Sequence, residues 1–168
     1  GGMKQKLALC CALIHKPSVL FLDEPTTGVD AVSRKEFWDM LQSLKTQGIT
    51  ILVSTPYMDE ASLCDRIALI KDGKFLKIDT PENIVKQFEK TLWIIQGDDM
   101  PKLLKDLRAM PQIKSCYAFG DSHHVTVEKG ELTMDILKEY LVKNGHSNVC
   151  IQAIPPTVED CFMELSNR

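Results

Sequence analysis

The chain has 168 residues, 20 Lys plus Arg against 23 Asp plus Glu, a formal charge of −3 and 44% hydrophobic residues. That composition is ordinary for a globular protein, sufficient for one medium domain or two small ones, and it excludes a disordered chain. The absence of a basic surplus speaks against nucleic-acid binding, and the longest apolar run, Leu7 to Ile14, falls far short of the roughly 18 residues a membrane-spanning helix needs.

In chain order, residues 3 to 15 are apolar on nearly every face after Lys6, which predicts a helix buried on most sides and ended by Pro17. Val19 to Leu22 is a short apolar run expected to be a strand buried on both faces of a parallel sheet, and it stops at Asp23-Glu24-Pro25. Phe37, Leu41 and Leu44, widened by Trp38 and Met40, form the stripe of an amphipathic helix from Val32 to Gln47 closed by Gly48. Ile49 to Val53 reads as a second buried strand, so strand, helix and strand make a right-handed βαβ unit. A short helix from Met58 to Cys64 is followed by a hairpin, Arg66 to Ile70 and Lys74 to Ile78 around Asp72-Gly73. Thr80 is expected to cap a helix that opens at Pro81 and runs to about Phe88.

Beyond Lys90 the texture changes. Strand 91–95, helix 101–110, a hairpin of 115–119 and 124–128, helix 134–143, strand 149–154 and helix 158–166 give a βαββαβα order, which fits a small two-layer α+β domain of ferredoxin-like type. The boundary is placed near residue 90. The six cysteines show no Cys-x-x-Cys spacing and read as buried reduced thiols. His123 and His124 should face opposite sides of a strand, and His146, after Asn144-Gly145, reads as a turn residue.

The most informative segment is Val19 to Pro25, where four apolar residues deliver Asp23 and Glu24 to the carboxyl end of a parallel strand, the place where open α/β sheets bind ligands. An Asp there can hold Mg²⁺ and an adjacent Glu can orient an attacking water. Four segments then occur in linked order over about 56 residues: Gly1-Gly2-Met3-Lys4-Gln5-Lys6-Leu7, Leu20 to Pro25, Thr26-Thr27-Gly28-Val29-Asp30 and Ile51 to Thr55. In order and spacing they resemble the end of the signature motif, the Walker B strand, the D-loop and the switch-loop strand of the ABC transporter nucleotide-binding domain. Residues 1–90 are thus similar to the C-terminal half of that P-loop ATPase domain, and residues 91–168 resemble the accessory tail of drug-efflux and ABC-2-type exporters.

The resemblance implies an ATP-binding subunit that couples ATP hydrolysis to a membrane permease, at the cytoplasmic side of the membrane and paired with a second nucleotide-binding domain. It implies that Asp23 helps to hold Mg²⁺ and that Glu24 is the general base for attack on the γ-phosphate. Gly1 and Gly2 would face the γ-phosphate of ATP bound to the opposing subunit, and Asp30 would lie at the dimer seam. Two departures stand out: Pro56 occupies the position of the switch-loop His, and Met3 stands where the signature usually has Gln. Proline offers no donor, so an alternative is a degenerate, regulatory ATP-binding module with impaired hydrolysis. The motif Gly-x-x-x-x-Gly-Lys-Ser/Thr is not found in the chain, from which a fragment that is inactive on its own is expected. Uncovered apolar faces and a free strand edge lead to the expectation of an oligomer.

Overall fold

The computed structural model describes residues 2–167, and the chain divides into two compact units, Gly1–Ala61 and Ser62–Arg168. The first contains α1 (Gly2–Leu13), β1 (Val19–Asp23), α2 (Ala31–Thr46), β2 (Thr50–Ser54) and the single turn α3 (Met58–Ala61). Strands β1 and β2 are parallel, with Phe21 opposite Leu52 and Asp23 opposite Ser54. The Asp30 side chain caps α2 by accepting from the Ser33 N–H, and α2 buries Phe37, Trp38 and Leu41. The expected βαβ unit is present.

Burial in this unit differs from the sequence expectation. Leu20 is 5% exposed, but Phe21 is 72% and Leu52 is 61% exposed, so β1 is buried on one face and not on both. The reason is the period of two along a strand: α2 covers one face of this two-stranded sheet, and alternate residues point away from it. Helix α1 likewise buries only Gly2 and Leu9 among its described residues, with Met3 and Leu7 exposed, because it packs chiefly on α2 in this unit.

The second unit opens with β3 (Ile67–Lys71) and β4 (Lys74–Asp79), joined by Asp72 and Gly73 at φ 50° and 72°. Positive φ at both central residues is what a type I′ hairpin requires. Helix α4 (Pro81–Lys86) starts at Thr80, whose hydroxyl accepts from the Asn83 N–H. Then come β5 (Thr91–Gln96), α5 (Met100–Ala109), β6 (Ile113–Phe119), β7 (Ser122–Val127), α6 (Met134–Lys143), β8 (Cys150–Ala153) and α7 (Val158–Leu165). The four strands form an antiparallel sheet in the order β6-β7-β5-β8. Trp93, Ile95, Val125 and Val127 from the sheet meet Leu103 and Leu107 of α5 and Leu137 and Leu141 of α6 in one core.

This compact unit begins at Ser62, upstream of the division near residue 90, because α4 packs on α7. The Cys161 Sγ lies 3.7 Å from the Ile84 carbonyl, and Lys90 pairs with Glu164 at 2.7 Å. His123 and His124 do diverge: the first bonds the Met100 carbonyl, the second the Asp160 carboxylate at the head of α7. His146 is a correction, since it is buried and bonds Asp106 Oδ2 at 2.7 Å, tying the loop after α6 to α5. The cysteines are a second correction: all six are free, but Cys10, Cys11 and Cys150 are exposed. Burial does raise the thiols of Cys116 and Cys161 to about 11.

Candidate functional site

The parallel register brings Asp23 and Ser54 side by side at the ends of β1 and β2. The Ser54 hydroxyl donates to Asp23 Oδ1 at 2.5 Å, and the Ser54 Oγ accepts from the Glu24 N–H at 2.9 Å, which also reaches the Ser54 carbonyl at 3.1 Å. Glu24 has φ 43°, a left-handed conformation that a non-glycine residue holds only where its surroundings impose it. The two bonds from its N–H to Ser54 are that imposition. Glu24 Oε2 accepts from the Thr27 hydroxyl at 3.1 Å, and the Thr27 N–H closes a turn onto the Glu24 carbonyl. Asp23 and Glu24 are both exposed at the strand end, as a pair that meets a ligand must be.

Two hard carboxylates beside a hydroxyl suit Mg²⁺, which takes oxygen ligands and keeps several waters.

Asp30 lies seven residues further on, after Gly28 at φ 73° has turned the chain. Its carboxyl is held below the usual carboxylate range, first by the Ser33 N–H and then by the Ser33 hydroxyl. Within this chain Asp30 is a helix cap. Gly2 starts α1 against the start of α2, where an added Cβ would come within 2.5 Å of Ser33 Cβ. Glycine is required there by close packing, whatever else its N–H does. Gly1 lies outside the described residues.

Sequence reasoning missed a buried cluster next to the carboxylate pair. Glu60, only 2% exposed, accepts from the Thr26 hydroxyl at 2.9 Å and the Thr55 hydroxyl at 2.6 Å, both on Oε2. Its Oε1 accepts from Arg34 Nε at 3.0 Å. The second arm of Arg34 reaches Asp59, and its guanidinium lies 4.2 Å above the Tyr57 ring. Burial lowers the Arg34 pKa, but the bond and charge of Glu60, with Asp59 behind them, outweigh this and raise it above its ordinary value. A carboxylate in a four-residue helix directly after Pro56-Tyr57 was the available signal; its burial could not be read from one dimension.

The sequence model of the ABC transporter family matches residues 1–27. The chain is 50% identical over 86 residues to the probable multidrug ABC transporter ATP-binding protein YbhF of Escherichia coli K12, covering 51% of this chain and 15% of that protein. It is 34% identical over 170 residues to the Nod factor export ATP-binding protein I of Rhizobium leguminosarum, covering all of this chain and 52% of that protein. The corresponding protein of Burkholderia orbicola is 45% identical over 170 residues, with 53% of it covered. Among solved structures, cbiO1 of Clostridium perfringens, part of the ABC transporter complex cbiONQ, matches with a TM-score of 0.48 and 31% identity over 51% of this chain and 35% of that one.

The chain is a stretch of an ABC-transporter ATP-binding protein. More particularly, it is homologous to the multidrug and Nod-factor export ATPases, and it spans about half the length of the Nod-factor relatives. The expected inactivity of the chain is corrected here. That expectation rested on the missing phosphate loop, whereas the family match starts at residue 1 and ties the head of the chain to the ATPase domain of that family. Inactivity is therefore not concluded for this protein. No helix among the described residues is long and apolar enough to cross a membrane.

Proposed function

We propose that the protein is the ATP-binding subunit of an exporter, in which ATP binding and hydrolysis drive a membrane permease from the cytoplasmic side. The observation that carries this reading is the fixed strand end, where Ser54 holds both Asp23 and the left-handed backbone of Glu24. Asp23 would hold Mg²⁺, which when bound would supply positive charge to the phosphates of ATP. With Oε2 of Glu24 engaged by Thr27, Oε1 is the oxygen that orients the attacking water and takes its proton. Gly1 and Gly2 face the γ-phosphate of ATP on a second nucleotide-binding domain, Gly2 from the start of α1. Asp30 joins the two sites along that seam. The partners are this second domain, in the same chain or another, and the permease; no nucleic acid takes part.

By ancestry the ATPase half runs over 1–90 and the accessory domain over 91–168. A ferredoxin-like reading of the latter is supported by the strand order β8-β5-β7-β6, with α5 and α6 contributing to one shared core. A regulatory reading, with slow hydrolysis at this site, is favoured by one observation: Pro56 stands in place of the switch-loop His and offers no donor to the γ-phosphate.

Glu24→Gln in the full-length subunit tests the assignment. ATP binding is retained, while hydrolysis in a single turnover falls by about 10²-fold or more. Unchanged hydrolysis removes Glu24 from the role of base, and binding with no turnover in either form favours the regulatory reading.

A further inference from the structure

We propose that Glu60 is a positioning residue that ties the switch turn after β2 to the loop after the β1 carboxylates, so that a movement of Thr55 is carried to Glu24 and Asp30. The role in catalysis rests on the ATPase reading above; the mechanical tie does not. Three segments end on this one carboxylate. Thr26 comes from the loop between Glu24 and Asp30, Thr55 from the turn beyond Ser54, and Arg34 from the first turn of α2, which Asp30 caps.

The geometry leaves little slack. Thr26 is 1% and Glu60 2% exposed, so water does not replace a bond that opens, and a buried charge that loses a partner is costly. Both hydroxyls converge on the same oxygen, so a displacement of Thr55 either drags Oε2 or breaks the bond at 2.6 Å. Dragging Oε2 shifts Thr26, whose carbonyl accepts from the Val29 N–H and whose neighbour Thr27 holds the Glu24 carboxylate. The Thr55 hydroxyl also accepts from the Tyr57 N–H at 3.1 Å, so the switch turn is pinned from its own side as well. The loop that carries the catalytic carboxylate and the turn that carries Pro56 therefore move as one body. Spatial intermediacy alone does not establish coupling; a perturbation at one end read at the other does.

The experiment substitutes Thr55 in the full-length subunit and reads hydrogen exchange at single amides together with steady-state ATPase kinetics. Thr55→Val keeps the shape and removes the hydroxyl; Thr55→Ser keeps the hydroxyl. In Thr55→Val, exchange at the Thr27 and Val29 amides rises about tenfold, and Thr55→Ser restores it. With the ATPase reading in place, Thr55→Val also lowers kcat about tenfold while KM for ATP stays within about twofold, the signature of an interaction needed in the transition state and not for binding. Thr26→Val gives the same split, and the double variant is no worse than either single one, because both break one shared tie. An exchange change confined to Tyr57, or a double variant whose effects simply add, overturns the tie. Cross-loop exchange in a subunit whose wild type hydrolyses no ATP upholds the tie and overturns the ATPase reading.

Discussion

Ser54 serves two neighbours at once, donating a hydrogen bond to Asp23 and accepting one from the backbone N–H of Glu24. Removing its hydroxyl frees the carboxylate and leaves the N–H of the left-handed Glu24 with the Ser54 carbonyl as its one remaining acceptor. Ser54→Ala is expected to lower single-turnover hydrolysis by about tenfold in the full-length subunit, the cost of about 1.4 kcal/mol in misplacement, with ATP affinity unchanged. Asp30 gives a pH signature instead. Its carboxyl is depressed in the folded state, so its contribution to stability is full above the unfolded carboxylate pKa and is lost as pH falls through the folded value. Melting midpoints of wild type and Asp30→Asn should differ most above about pH 4 and converge below it. The carboxylates themselves were legible, because an apolar run ending in Asp-Glu-Pro announces a strand end. Ser54 and Glu60 were not, since their roles come from strand register and from burial, both properties of neighbours distant in sequence.

At the scale of elements, helix starts were read well because capping chemistry is local. Thr80 followed by Pro81 and the Asp72-Gly73 turn behave as their side chains and backbones dictate. The head of α7 shows how much can rest on one cap. Thr157 and Asp160 cap each other's N–H groups, and Asp160 also bonds His124 of β7 at 2.7 Å. Thr157→Ala is expected to cost about 1 kcal/mol in chemical denaturation. Asp160→Ala, which also strands the His124 ring, costs about 2 to 3 kcal/mol. Burial was the weaker part of the sequence reading. Continuous apolar runs in α1 and β1 promised burial all round, but a run records what a segment can bury and not how many neighbours lie against it.

For the molecule as a whole, the exposed face of the β1β2 sheet is the feature with the largest effect on behaviour. Val19, Phe21 and Leu52 stand on that face, with Phe21 and Leu52 directly opposite each other. Association of the chain at this face is expected to be concentration dependent in sedimentation experiments, and Phe21→Lys should move it toward monomer. A wild-type chain that sediments as a monomer at every concentration removes the proposal of an oligomer.

The division into two units carries one more consequence. The chain has two tryptophans, Trp38 in the first unit and Trp93 in the second, both buried. Nature has thus supplied each unit with its own fluorophore. Replacing either indole by phenylalanine leaves an emission signal that belongs to a single unit, so the unfolding of each can be followed by colour alone, without labels and without separating the two.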